Sequence, residues 1–181
     1  KYGIACVNGT SGLHLTMHMF DVKLGDHLIV PNITFIASAN AASYTYANPI
    51  FIDVDPNTWQ MDLDLLEEFL ANQTENKEGL TYLKSTGKPI KAIMPVHVLG
   101  NMCDMPRLVE ICKKYNIVVV EDASESLGSY YKGEHSGAFG DMGVFSFNGN
   151  KIITTSGGGM LVSNNKERIE KVKFWSTQSR D

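Results

Sequence analysis

The residues of this 181-residue sequence best suited to chemistry centre on one amine. Lys151 lies in Phe145-Ser-Phe-Asn-Gly-Asn-Lys-Ile-Ile-Thr-Thr-Ser-Gly-Gly-Gly-Met160, between two segments with strand-like apolar residues. An amine held in a packed wall can attack a carbonyl, because burial favours its neutral, nucleophilic form. The expectation is a Schiff base between Lys151 and a carbonyl cofactor. Most lysines are solvated surface charges. The signs that set this one apart are the flanking Ile152-Ile153 and the Gly157-Gly158-Gly159 run.

Two further stretches could share a site with that lysine. Val118-Val-Val-Glu-Asp122 places a carboxylate at the end of an apolar strand. There it loses hydration unless it finds a partner. A protonated pyridine nitrogen is such a partner, and Asp122 would then keep the ring electron-poor. A helix cap for the residues from Ala123 onward explains Asp122 equally well. Asn8-Gly-Thr-Ser-Gly12 falls between a strand and a helix. Free N–H groups at a helix start, with hydroxyls beside them, make an anion site. On this stretch alone, an ordinary N-cap by Thr10 or Ser11 is the stronger reading. Ser146 follows Val144-Phe145 at a strand end and could bind a phosphate. Lys151 stands five residues later, far enough round a turn to reach the other end of a small ring. No Walker A lysine and no G-x-G-x-x-G fingerprint is present, so classical nucleotide binding is unsupported.

These residues need elements to position them. Strands are expected at Tyr2–Val7, His27–Pro31, Pro49–Asp55, Ile90–Val96, Ile117–Val120, Asp141–Phe147 and Gly159–Val162. Helical spacing covers Ser11–Phe20, Phe35–Tyr46, Leu63–Asn72, Met105–Tyr115 and Lys166–Trp175. Residues 73–88 are polar with two glycines and read as a surface excursion. His135 and Ser136 read as turn residues. Strands alternating with helices imply βαβ units and a mainly parallel sheet. Ligands then gather at the carboxyl ends of the strands, which selects Gly9-Thr10-Ser11, His97, Asp122, Ser146 and Lys151.

Composition narrows the partners. The chain is 43% hydrophobic and 20% charged, enough for one domain with a real core. A formal net charge of −4 gives no reason to expect nucleic acid or an anionic membrane. No apolar run is long enough to span a bilayer. Cys6, Cys103 and Cys112 form no C-x-x-C pair, so no metal centre is expected, and a reduced, cytoplasmic setting is. The sequons at Asn8, Asn32 and Asn72 are read as chance matches. The first residues, Lys1-Tyr-Gly-Ile-Ala-Cys6, already look like a strand, which leaves room for sequence upstream.

In combination, the motifs resemble one family. Glu121-Asp-Ala-Ser-Glu-Ser-Leu-Gly-Ser-Tyr-Tyr-Lys-Gly133 and Gly140-Asp-Met-Gly-Val-Phe-Ser-Phe-Asn-Gly-Asn-Lys151 are similar to the DegT/DnrJ nucleotide-sugar aminotransferases. So are Val7-Asn-Gly-Thr-Ser-Gly-Leu-His-Leu15, Pro31-Asn-Ile-Thr-Phe35, Phe51-Ile-Asp-Val-Asp55 and Pro95-Val-His-Val-Leu-Gly100. The resemblance implies a fold-type I pyridoxal 5'-phosphate enzyme. Its large domain is a three-layer α/β structure, a mainly parallel sheet with helices on both faces. By this resemblance Lys151 forms the Schiff base and shuttles the proton, and Asp122 pairs with the pyridine nitrogen. Glu125 contacts the ring hydroxyl, Thr10, Ser11 and Ser146 bind the phosphate, and Phe35 stacks on the ring. Without the resemblance, Phe35 reads as a core residue. His97 would lie below or beside the cofactor without a catalytic part.

The implied reaction moves an amine from glutamate to a nucleotide-linked 4-keto-6-deoxy sugar, of UDP-N-acetylhexosamine type, for surface-polysaccharide or glycan synthesis. Family members are longer, with an N-terminal segment, a small C-terminal domain and a homodimer that shares its active sites. Residues 1–181 therefore correspond to the large domain, expected to bind cofactor weakly when alone. The alternatives are a non-catalytic cofactor- or sugar-binding regulator on the same fold, and a sugar dehydratase. The dehydratase branch carries histidine in place of the lysine, and Lys151 argues for transamination.

Overall fold

The computed structural model describes residues 2–179. Local signals explain most element boundaries. The helix Met105–Tyr115 starts at Asp104, whose side chain accepts the Arg107 N–H, and carries a proline in its first turn. It ends at Asn116 in the left-handed conformation, with Lys113 and Lys114 in the last turn. Acceptor cap, early proline, late cations and αL stop are what a helix's unpaired ends require. The strand His27–Pro31 is buried along its whole length, as a central parallel strand must be.

In chain order the elements are β1 (Tyr2–Cys6), α1 (Gly9–Met19), β2 (His27–Pro31), α2 (Ile36–Ser43), β3 (Asn48–Ile52) and α3 (Leu63–Gln73). There follow β4 (Thr74–Lys77), β5 (Leu80–Leu83), β6 (Lys88–Ile93), a 3-10 turn at Val98–Gly100 and α4 (Met105–Tyr115). The chain continues with β7 (Val118–Asp122), β8 (Tyr130–Tyr131), β9 (Glu134–His135), β10 (Met142–Ser146), β11 (Gly159–Ser163) and α5 (Lys166–Ser176). The main sheet runs β1-β11-β10-β7-β6-β2-β3. The β10-β7, β7-β6, β6-β2 and β2-β3 pairs are parallel. β11 is antiparallel to both of its neighbours.

Alternation along the strands sends side chains to two cores. Leu28 and Val30 join Met94, Val120 and Val144 against Leu13 and Met17 of α1, Ala41 of α2 and Val172 of α5. Ile29, Ile93 and Val119 face the other way, against Leu66 and Leu70 of α3 and Leu108 and Ile111 of α4. The result is the expected three layers, helix–sheet–helix.

Residues 73–88 are the expected surface excursion, largely exposed, and they are built as a hairpin: β4 pairs with β5, and β5 with the start of β6. Glu78 and Gly79 both have positive φ, at 52° and 79°, the backbone of a two-residue hairpin turn. His135 is a strand residue of the small β8-β9 hairpin rather than a turn residue. The adjacent Ser136 does lie in a turn, and is buried there, its hydroxyl donating to the Ser126 carbonyl at 2.6 Å. Finally, Ile152-Ile153 form no strand and stand 63% and 57% exposed. They give Lys151 no packed wall, so its seclusion has another source.

Candidate active site

The carboxyl ends of the parallel strands open into a cavity of about 560 Å³. Its lining comes from the start of α1 (Asn8, Gly9, Thr10), the approach to α2 (Thr34, Phe35), the ends of β7 and β10 (Asp122, Ser146), and Ser124, Glu125 and Lys151. Of the residues singled out by sequence, Thr10, Phe35, Asp122, Glu125, Ser146 and Lys151 converge there. Ser11 does not line the cavity. It lies further along α1, and its N–H is taken by Asn8 Oδ1 at 2.7 Å. Phe35 is no core residue: its backbone caps α2 and its side chain is 72% exposed at the cavity.

Lys151 reaches inward from the loop after β10. Its side chain is only 13% exposed, and Nζ lies 3.3 Å from Glu125 Oε1. The other carboxylate oxygen, Glu125 Oε2, accepts the Leu99 N–H at 2.9 Å. Glu125 therefore couples the lysine to the Val98–Gly100 turn, where Leu99 holds a positive φ of 55°.

Asp122 lies on the floor. It is 5% exposed. Oδ2 accepts the Ser38 hydroxyl at 2.7 Å and Oδ1 the Ser124 N–H at 3.1 Å. Ser38 in turn shares a 2.7 Å hydrogen bond with Thr34. No helix follows for Asp122 to cap; a turn does. Among the described residues, no lysine, arginine or histidine lies within ion-pairing distance of this carboxylate. Its two visible partners are neutral, and a buried carboxylate with neutral partners alone is poorly compensated.

Helix α1 begins at Gly9, packed against β10. A Cβ on Gly9 would come within 2.9 Å of Ser146 Cβ and 3.3 Å of Ser124 Oγ. Glycine thus lets the helix start among the hydroxyls of Thr10, Ser124 and Ser146. The first turn of α1 contains no acidic residue, so the positive end of its dipole is left for an anion.

Sequence reasoning missed several supporting residues. Ser38 and Ser124, which hold Asp122, carry no signal of their own, and Ser38 lies 84 positions away. Glu121 was passed over as the neighbour of Asp122. It is fully buried, and accepts N–H groups from Gly137, Phe139 and Gly140 at 2.7–2.8 Å. It also accepts from His97 Nε2 at 3.0 Å. His97 Nδ1 faces the Cys103 N–H at 3.5 Å, which places the ring proton on Nε2. This pair supports the floor, and His97, one of the strand-end candidates, does not line the cavity.

The donor set fits pyridoxal phosphate in each of its parts. A helix start ringed with hydroxyls suits the phosphate, Phe35 offers a face for the ring, the cation-free carboxylate of Asp122 suits a protonated ring nitrogen, and Lys151 supplies the amine.

The architecture is that of the aminotransferase α/β domain. A crystal structure of a DegT DnrJ EryC1 StrS aminotransferase from Brucella abortus matches with a TM-score of 0.88 at 30% identity, over 96% of this chain and 44% of that one. This chain belongs to the DegT/DnrJ/EryC1/StrS aminotransferase family, whose model matches residues 1–181. Curated relatives include GDP-perosamine synthase of Caulobacter vibrioides, 41% identical over 100% of this chain and 44% of its own length. The GDP-perosamine synthase of Escherichia coli O157:H7 is 45% identical over 98% of this chain and 44% of its own. The chain therefore spans less than half the length of the curated relatives it matches. No described helix is long and apolar enough to cross a membrane.

Proposed function

We propose that this chain is the cofactor-binding large domain of a pyridoxal phosphate-dependent aminotransferase. The substrate is a nucleotide-linked 4-keto-6-deoxy sugar and the amino donor glutamate. The observation that carries the reading is Asp122, a buried carboxylate without a cation, facing the same cavity as the secluded amine of Lys151. The family membership and its nucleotide-sugar relatives support it.

Bound pyridoxal phosphate supplies an electron sink, storing the pair released when a proton leaves the amino-bearing carbon. The chain's own residues do the rest. Thr10, Ser124, Ser146 and the start of α1 hold the phosphate. Asp122 keeps a proton on the ring nitrogen, and Ser38 and Ser124 keep Asp122 in place. Lys151 Nζ carries the proton between carbon positions as general acid and base. Glu125, at 3.3 Å, holds that amine at the cavity until it is used. Phe35 covers the ring and limits water.

This chain covers 44% of each of the two GDP-perosamine synthases; we further propose sugar contacts from outside these residues and a second subunit in a homodimer with shared sites. We assign the sugar to the UDP-linked N-acetylhexosamine class, on the Glu125–Gly133 stretch. The names of two relatives favour a GDP-linked sugar as the second reading. A panel of UDP- and GDP-linked keto-sugars, assayed with glutamate and the intact protein, separates them. Lys151→Ala is expected to abolish turnover while the cofactor still binds without covalent attachment. Turnover at the unaltered rate in that variant overturns the assignment.

A further inference from the structure

Helix α1 carries a pair of imidazoles that the cavity does not use. His14 and His18 stand four residues apart, so they share one face of the helix. Their Nε2 atoms lie 3.0 Å apart. The ring centroids are farther apart, at 4.6 Å, with planes inclined by 52°. The rings meet at their Nε2 edges, so both nitrogens can be offered to one ion placed beside them. Neither residue lines the cavity at the strand ends.

We propose that His14 and His18 form a binding site for one divalent first-row transition-metal ion, of the kind that favours tetragonal geometry, Cu²⁺ or Ni²⁺.

The separation of the nitrogens selects the ion. Two metal–nitrogen bonds of about 2.1 Å meeting at a right angle span about 3.0 Å, whereas the tetrahedral angle of Zn²⁺ needs about 3.4 Å. The observed 3.0 Å matches adjacent positions of a square-planar or octahedral ion. Two imidazoles four residues apart on a helix chelate zinc in H-E-x-x-H proteins, so the spacing supplies a chelating pair and the nitrogen separation chooses among ions. The helix fixes their Cα spacing before the metal arrives, so little ordering remains to be done on binding. Tyr44, at the end of α2, sets its ring edge-on to His14 at 5.4 Å and restrains it. Among the described residues no third histidine, cysteine or carboxylate joins the pair. Water fills the remaining positions, and the ion stays exchangeable.

The test is a titration of the purified protein, stripped of metal, with CuCl₂, NiCl₂ and ZnCl₂ in separate arms at pH 7.5. One equivalent of Cu²⁺ or Ni²⁺ is expected to bind in the micromolar range, with Zn²⁺ at least tenfold weaker. The Cu²⁺ spectrum is expected to show coordination by two imidazole nitrogens. His14→Ala and His18→Ala should each weaken binding at least tenfold. Both positions are at least partly solvent-accessible, and an unchanged circular dichroism spectrum will confirm that the variants fold. Full-strength binding in the double variant places the ion elsewhere and overturns the proposal. So does absence of binding by the unmodified protein at millimolar metal, which leaves the pair as a hydrogen bond only. Tighter binding of Zn²⁺ than Ni²⁺ overturns the geometric assignment.

Discussion

Replacing Asp122 by asparagine separates support of the fold from support of the cofactor. Oδ1 of the asparagine can still accept the Ser124 N–H, now made at 3.1 Å. Its amide nitrogen would face Ser38 Oγ, which now donates at 2.7 Å. Ser38 can turn its hydroxyl proton toward Thr34, 2.7 Å away, and accept instead. Both hydrogen bonds survive and only the charge is lost. Each bond falls from the charge-assisted to the neutral class, a loss of about 1 kcal/mol apiece. Against that stands the relief of leaving a carboxylate dehydrated without a counter-ion, several kcal/mol per ion. The unliganded Asp122→Asn protein is therefore expected to be roughly 1–2 kcal/mol more stable than the parent in urea unfolding. With cofactor the sign reverses. A protonated ring nitrogen deprived of its buried partner costs about 3–5 kcal/mol. Cofactor affinity should then fall by roughly two to three orders of magnitude or more. Paired unfolding curves and a pyridoxal phosphate titration of both proteins read the two effects. A loss of more than about 2 kcal/mol without cofactor makes Asp122 a structural keystone and refutes the argument. Unchanged cofactor affinity refutes it as well.

Three further outcomes follow from the same geometry. Gly9→Ala brings a methyl within 2.9 Å of Ser146 Cβ; pushing α1 from β10 should cost about 1–3 kcal/mol in unfolding and weaken phosphate binding. Glu121→Gln turns one acceptor oxygen into a donor among the four donors of Gly137, Phe139, Gly140 and His97. A loss of about 2–4 kcal/mol is expected, and an unaltered unfolding midpoint would contradict it. Burial lowers the pKa of His27, so the unfolded chain binds its proton more readily than the folded one. Its contribution to stability is complete above about pH 6.5 and is lost as pH falls from there, by at most about 1.4 kcal/mol per pH unit. His27→Gln should flatten that part of the acid limb, and an equally steep limb in the variant would assign the loss to other groups.

Legibility in the sequence followed the range of the interaction. β2 and α4 were readable to the residue: one is an apolar run set off by Gly25-Asp26, the other carries its own start and stop residues. The β4-β5 hairpin was not. Thr74-Glu-Asn-Lys77 is polar and has little strand preference. It becomes a strand because Thr74 Oγ1 ties its start to α3, donating to the Leu70 carbonyl at 2.6 Å, and because its partner β5 is itself held against the start of β6. Reading burial of Lys151 from Ile152-Ile153 failed for the converse reason. Apolar neighbours in sequence point outward here, and the amine is enclosed by a fold that brings Glu125 and the end of β7 to it.

The sequence by itself determined the alternating strands and helices, the family, and the identities of Lys151, Asp122, Glu125, Thr10 and Ser146 as candidates. Those depend on local pattern and on motif order, which a linear chain carries in full. Only the tertiary structure decided that Ser11 lies outside the cavity lining, that Ser38 and Ser124 hold Asp122, that Glu121 ties down the floor, and that His14 and His18 meet. Each of these depends on where side chains point in space. That direction is set by helix phase and strand pairing, often between residues tens of positions apart.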